Sequence, residues 1–171
     1  MTSKWLVLFL QAGGLLTLAS CVSNGNRNTA VFTQDTASEI SIPVIGQTER
    51  VCRESLGYTY PSTEILYYTT ATSRVWTIMT RGRHGIVTSQ FEIGDGAIRN
   101  IRVLSSKEQR GRQIKSQRFL RQFEGVSLSA RNALNKRVDG ITGATISSKA
   151  VNDAALLALK LDAAMPLKAS D

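Results

Sequence analysis

The sequence predicts an α+β fold in which an antiparallel twisted sheet packs against two or three helices. Residues 65–104 are dense in β-branched and aromatic side chains and are interrupted by glycine turns. After them the apolar residues recur at helical spacing. The 171 residues suffice for about one domain with its own core. We therefore expect a single domain over residues 48–165.

The N-terminus has the features of an export signal. Lys4 precedes a nearly uncharged apolar run, residues 5–19, which is too short for a comfortable membrane span. The following Leu18-Ala19-Ser20-Cys21 resembles the lipobox of bacterial lipoproteins, in which the cysteine is acylated and becomes the mature N-terminus. We expect a signal peptide at residues 1–20 and a lipid anchor on Cys21. An ordinary secretory signal and an uncleaved anchor helix are the alternatives.

This anchor would hold the protein at the cell envelope, facing the periplasm. Val22 is not an acidic retention signal, which favours the outer membrane over the inner one. With Cys21 acylated, Cys52 has no partner within the chain, and we interpret it as a small buried apolar residue. One such cysteine and His84 are a poor ligand set, so no metal site is predicted.

Residues 21–47 are rich in Ser, Thr, Asn and Gly, a composition typical of a flexible tether, with a short ordered stretch at 39–45. A short helix is expected over residues 48–56, ended by Gly57. Four strands are then predicted, at residues 65–70, 75–80, 86–93 and 97–104. The last strand alternates imperfectly, which indicates a bulge near Asn100 and a sheet with one wet face. His84 lies in a glycine-flanked turn and is interpreted as solvent-exposed.

Two helices follow the strands. Residues 111–123 show an inward apolar face, and Gly125 should end that helix. The second helix starts at Ile146, with Ser147 as its N-cap candidate and Thr145 on the loop before it. Its apolar stripe comprises Ile146, Ala150, Val151, Ala154, Leu157, Ala158 and Leu161. The small alanine side chains predict close packing against the sheet.

The chain carries a formal charge of +8, and the excess is local. Only Glu108 and Glu124 oppose the basic residues between positions 99 and 137, which are Arg99, Arg102, Lys107, Arg110, Arg112, Lys115, Arg118, Arg121, Arg131, Lys136 and Arg137. Export and the lack of interleaved aromatics argue against nucleic acid. Anionic lipid, an acidic protein or an anionic cofactor fit the compartment better, and a solvated charged face is the plain alternative.

The segment Asp139-Gly140-Ile141-Thr142-Gly143-Ala144-Thr145 is the candidate functional site, followed by Ile146-Ser147-Ser148 and the second helix. A helix N-terminus offers unpaired N–H groups and a positive dipole end, which favour a phosphate. A hydroxyl held there could carry that phosphate as an ester. The simpler alternative is a turn whose hydroxyls satisfy the helix N–H groups.

This segment resembles the flavinylation motif of FMN-binding domains, such as those in the flavoprotein subunits of bacterial Rnf and Na⁺-pumping NADH:quinone oxidoreductase complexes. The resemblance implies that a flavin transferase splits FAD and joins FMN through its phosphate to Thr145. It further implies that Thr142, Gly143 and Ala144 lie at the bound cofactor and help recognition, and that Asp139 serves the transferase.

The resemblance extends over about residues 77–161. One stretch departs from it: many members carry a His-x-Glu-Thr-Pro-Gly loop where this chain has Ser106-Lys107-Glu108-Gln109-Arg110-Gly111. That is similar to small stand-alone FMN-binding proteins, so loop contacts and redox partners of the large complexes do not transfer to this chain.

The expected function is that of a membrane-tethered electron carrier with covalent FMN. No catalytic residue is predicted, because no nucleophile–base pair or carboxylate dyad is visible. The expected partners are the flavin transferase, a redox protein in the envelope and the membrane, without nucleic acid. Two alternatives are a non-redox basic lipoprotein that acts as an adapter and a flavin-dependent reductase.

Overall fold

The computed structural model describes residues 38–109 and 112–165, so the predicted signal, Cys21 and most of the predicted tether lie outside the described residues. Within them the chain forms one five-stranded sheet with strand order β1-β2-β3-β4-β5. Every neighbouring pair is antiparallel. The strands are β1 (Ile40–Pro43), β2 (Glu64–Thr69), β3 (Arg74–Arg81), β4 (Ile86–Gly94) and β5 (Ala97–Ser105). The predicted α+β class, an antiparallel sheet with two or three helices, is confirmed, and the described residues form three α-helices.

The edge strand β1 lies within the range expected to be tether. It pairs antiparallel with β2, with Ile40 opposite Tyr67 and Pro43 opposite Glu64. The sequence predicted only a short ordered stretch there, because four residues ending in proline carry little strand signal. Proline lacks the N–H that a central strand must donate, so an edge position suits it.

The predicted bulge near Asn100 is confirmed. On β5, Asn100 pairs with Glu92 while Ile98 pairs with Ile93, which leaves Arg99 as the extra residue. An extra residue shifts the alternation by one position. As a result Ile98 and Ile101, three positions apart, are both buried on the core face, whereas Arg99 is exposed.

The longer helices are α1 (Gly46–Leu56) and α3 (Thr145–Ala164), which pack against each other. Helix α1 ends at Gly57 as predicted, and the φ of +75° at this residue is one that glycine adopts without strain. Helix α3 lies across β3 and β4. Its buried alanines, among them Ala154 and Ala158, have little side-chain bulk and suit close packing of the helix.

The prediction of a single helix over residues 111–123 was wrong. The described part of this segment is a 3₁₀ helix (Arg112–Lys115), the short helix α2 (Gln117–Leu120) and a second 3₁₀ helix (Arg121–Phe123). Ser116 interrupts it with extended backbone and caps α2 by accepting from the Phe119 N–H. A serine hydroxyl competes in this way for backbone partners. The apolar residues predicted to face inward are nevertheless buried: Ile114, Phe119, Leu120 and Phe123.

A buried ion pair fastens the end of α3 to the sheet. An Oδ1 atom of Asp162 accepts from Arg74 Nη1 at 2.8 Å and from Trp76 Nε1 at 3.0 Å. The Arg74 guanidinium also lies over the rings of Tyr67 and Trp76. Because α3 begins at the candidate site, this contact at its other end sets the direction in which its N-terminus points.

Cys52 is fully buried, as predicted, and it forms no disulfide with the described residues. Burial, and then the nearby charge of Glu49, raise the pKa of its thiol to about 11. The thiol therefore stays protonated at neutral pH and acts as a small apolar side chain.

In the described part of the chain, no helix has both the length and the apolar character needed to cross a membrane.

Candidate functional site

The loops at one end of the sheet meet at the N-terminus of α3. These are the β3–β4 turn at residues 82–85, the stretch 106–109 after β5, and residues 139–144. With the first turn of α3 they form a cavity of about 390 Å³. Its lining residues are Arg83, His84, Glu108, Gly143, Ala144, Thr145, Ile146 and Ser147.

The β3–β4 turn is held from the side by two tyrosines. The backbone N–H groups of Met79 and Arg81 donate to the hydroxyl oxygens of Tyr60 and Tyr58, at 2.9 and 2.7 Å. The pairing of β2 with β3 ends at Thr77, so these N–H groups lie beyond the neighbouring strand. The phenol oxygens therefore replace the missing strand partner and fix the turn that carries His84.

Residues 139–144 form a defined turn. Gln122 binds the backbone of Asp139, because its Oε1 accepts from the Asp139 N–H at 2.8 Å and its Nε2 donates to the Asp139 carbonyl at 3.4 Å. The Ala144 N–H donates to the Ile141 carbonyl at 2.9 Å, which closes the turn. Gly143 has φ +79°, a left-handed conformation that explains glycine here.

Thr145 is the first residue of α3. The sequence analysis had placed it on the loop before the helix. Its side chain is exposed, and its hydroxyl makes no hydrogen bond to any described residue. The N-cap residue, Ala144, provides no side-chain acceptor. Within the described chain, the N–H groups of Thr145, Ile146 and Ser147 therefore have no acceptor, and they form the positive end of the helix.

Two expectations about this turn of the helix were wrong. Ser147 is not the N-cap, because its hydroxyl donates instead to Glu108 Oε2 at 2.6 Å. Ile146, placed in the inward stripe by the spacing, is exposed and lines the cavity. The first turn of α3 borders the cavity. Helical periodicity alone therefore does not predict whether the residues of this turn are buried.

The structure adds Glu108, which the sequence analysis named as a counter-charge in the basic run and as part of the departing loop but gave no role in the site. Its side chain is 2% exposed. Oε1 accepts from the backbone N–H of His84 at 2.6 Å, and His84 Nδ1 lies 3.7 Å from Oε2. Gly82 makes room for the carboxylate, since a Cβ there would lie 2.6 Å from Oε1. His84 is exposed as interpreted, yet it adjoins this carboxylate.

The contacts of Glu108 favour its charged form. Burial alone would raise the pKa of the carboxyl, but the hydrogen bonds from Ser147 and His84, together with attraction to the imidazole, outweigh burial and hold the pKa below its ordinary value of 4.5. The carboxylate is therefore ionised at neutral pH.

Replacing Glu108 by Gln should lower the free energy of unfolding by about 1–2 kcal/mol at pH 7, because the hydrogen bonds lose their charge assistance. A carboxyl whose folded pKa is depressed stabilises the protein above its unfolded pKa. That contribution is lost as the pH falls through the folded pKa, below 4.5. Urea unfolding at several pH values should show the difference between the two proteins shrinking on acidification. A difference independent of pH would contradict this role.

The predicted motif spans two cavities. Asp139 and Thr142, both exposed, line a second cavity of about 830 Å³, whereas Gly143, Ala144 and Thr145 line the first. The second cavity is also lined by Gln113, Ser116, Arg118, Phe119, Gln122, Gly140 and Ile141. The structure thus separates the acidic residue of the motif from the hydroxyl at its end.

Most of the basic run is a solvated surface. Arg99 pairs with Asp95 and donates to Thr72 Oγ1, and Arg102 donates to Gln90 Oε1 at 2.9 Å. The other described members are exposed and form no ion pair with the described residues: Lys107, Arg112, Lys115, Arg118, Arg121, Arg131, Lys136 and Arg137. Lys107, Arg112 and Lys115 line one further cavity beside Glu108.

Residues 82–160 match the family model described as FMN-binding domain. The match begins at the glycine that accommodates Glu108 and ends within α3, so it includes the three cavities described above. No curated protein matches the chain.

Proposed function

We propose that this flavin-binding protein, whose residues 82–160 belong to the FMN-binding domain family, carries FMN joined through its phosphate to the Thr145 hydroxyl. The observation that carries this proposal is the hydroxyl of Thr145, which is exposed on the first turn of α3 and makes no hydrogen bond with the described residues. A hydroxyl already used as a hydrogen-bond donor or cap would be a poorer acceptor for a transferred group.

The chemistry of the surrounding groups fits a phosphate ester. The N–H groups of Thr145, Ile146 and Ser147 have no acceptor among the described residues, so they can donate to phosphate oxygens. Gly143 and Ala144 add almost no side-chain bulk to the cavity wall next to the ester. Asp139 lines the other cavity, where its exposed carboxylate is accessible to a flavin transferase and does not crowd the phosphate.

Bound FMN supplies one- and two-electron redox chemistry. The residues of this chain favour electron carriage, because the anchor is open to the surface: Thr145 and its neighbour Ile146 are both exposed. A group held there is accessible to a redox protein. The exposed cations of the basic run would attract an acidic redox partner.

The decisive experiment is to incubate the purified protein with a flavin transferase, FAD and Mg²⁺, and to measure its intact mass. The Thr145 hydroxyl displaces AMP from FAD in this reaction, so we expect one FMN per chain as a phosphate ester, which persists in denaturant. A protein that stays unmodified while a known acceptor domain is modified under the same conditions would refute the covalent attachment.

We also propose that Cys21 carries a lipid anchor and holds the domain at the cell envelope, facing the periplasm and on the outer membrane where the source has one. The support is the Leu18-Ala19-Ser20-Cys21 pattern after an apolar run. Mass analysis of the N-terminal peptide from the native host should show acylated Cys21. A peptide that begins elsewhere, or an unmodified cysteine, would contradict the anchor.

A further inference from the structure

A buried carboxylate shares the cavity of the proposed flavin anchor. Glu108 lines the same cavity as Thr145, and it contacts the first turn of α3 through the Ser147 hydroxyl, at 2.6 Å. That is the helix end at which the ester phosphate would lie. The site therefore offers an anion both attractive N–H groups and one fixed negative charge.

The charge of Glu108 is poorly screened, because its side chain is 2% exposed. The neighbouring cation in the cavity, Arg83, is exposed and therefore surrounded by water. His84 Nδ1 lies 3.7 Å from Glu108 Oε2, and about half of the His84 side chain is exposed. A phosphate at the helix N-terminus would therefore lie near the negative charge of Glu108. The solvated side chains of Arg83 and His84 neutralise that charge only in part.

We propose that Glu108 makes this site selective for covalently attached flavin, by repelling the phosphate of free FMN. The inference rests on the proposed attachment at Thr145. A phosphate monoester carries a charge of about −1.5 to −2 at pH 7, whereas the phosphodiester formed with Thr145 carries about −1. The repulsion grows with that charge.

Covalent attachment also removes the need for affinity. Once the ester has formed, the flavin is held at a high effective concentration, and a weakly repulsive site still retains it. Free FMN has no such advantage. Glu108 would thus keep an unmodified chain from filling its site with flavin that can dissociate.

The test uses the Thr145→Val protein, in which nothing can attach, and compares free FMN with riboflavin, which lacks the phosphate. Flavin fluorescence is titrated at pH 8, where the phosphate is fully charged. In the Thr145→Val protein we expect FMN to bind no more tightly than riboflavin. Adding Glu108→Gln should strengthen FMN binding roughly tenfold and leave riboflavin binding unchanged, since a unit charge acts on the phosphate alone.

Two matched variants separate charge from other effects. Glu124→Gln removes an exposed carboxylate that does not line the cavity, and it should not change the preference. Ser147→Ala breaks the buried hydrogen bond but keeps the Glu108 charge, and it should bring no gain in FMN affinity. Thermal melting verifies that each variant is folded, and Glu108→Met replaces the Gln variant if the latter does not melt cooperatively.

Equal FMN affinities with and without the Glu108 charge would overturn the proposal. So would an equal gain for FMN and riboflavin, which would indicate a loosened cavity. These outcomes are independent of the mass measurement. If the chain accepts FMN on Thr145 but Glu108→Gln has no effect on FMN binding, the proposed anchor stands and the proposed selectivity is refuted.

Discussion

Thr145→Val is expected to abolish covalent FMN attachment altogether. Valine has nearly the shape of threonine and lacks only the hydroxyl, which forms no hydrogen bond with the described residues. The first turn of α3 should therefore remain intact, and the melting temperature should change little. The measurement is the intact mass after incubation with a flavin transferase and FAD, with in-gel flavin fluorescence as a second readout.

The matched control for this prediction is Thr145→Ser, which restores a hydroxyl at the same position and should recover the FMN mass. Peptide mapping of the wild-type protein should place the flavin on the peptide containing Thr145. If the Thr145→Val protein carried FMN on Thr142, then Thr142 and not Thr145 would be the anchor. That result would refute the proposal.

Asp162→Ala is expected to lower the free energy of unfolding by about 3–5 kcal/mol, the largest effect on stability among the contacts described. The substitution leaves the Arg74 guanidinium buried without its anion, since the side chain of Arg74 is only 6% exposed. It also removes the acceptor of the Trp76 N–H at 3.0 Å. An unpaired buried charge costs more than the lost pair contributed.

The comparison is Asp153→Ala, also on α3, which removes an ion pair with Lys149, whose side chain is 67% exposed. The Asp153 side chain is itself only 17% exposed, but its removal leaves the Lys149 ammonium in water, so we expect a loss of at most about 1 kcal/mol. Urea unfolding of the three proteins should therefore separate the two substitutions clearly. Similar losses for both would mean that the Arg74–Asp162 pair is effectively solvated, against its observed burial.

Local patterns predicted most of the fold. The four strands after residue 64 were found within one residue at each end, because β-branched and aromatic residues are dense there and glycines mark the turns. The prediction of one helix over residues 111–123 was wrong because the spacing of apolar residues cannot show that Ser116 adopts an extended backbone conformation. Strand β1 gave only a weak signal, since its pairing with β2 depends on residues far along the chain.

The sequence by itself determined the α+β class, the position of the motif before a helix, and Thr145 as the hydroxyl to test. The first two depend on local periodicity and on a short segment of sequence, and the choice of Thr145 depends on the resemblance of that segment to the flavinylation motif. Only the tertiary structure decided that Glu108 lies at the same helix end, 39 positions before Ser147. Glu108 is buried because loops that are distant in the sequence come together at one end of the sheet. A local sequence pattern does not contain that information.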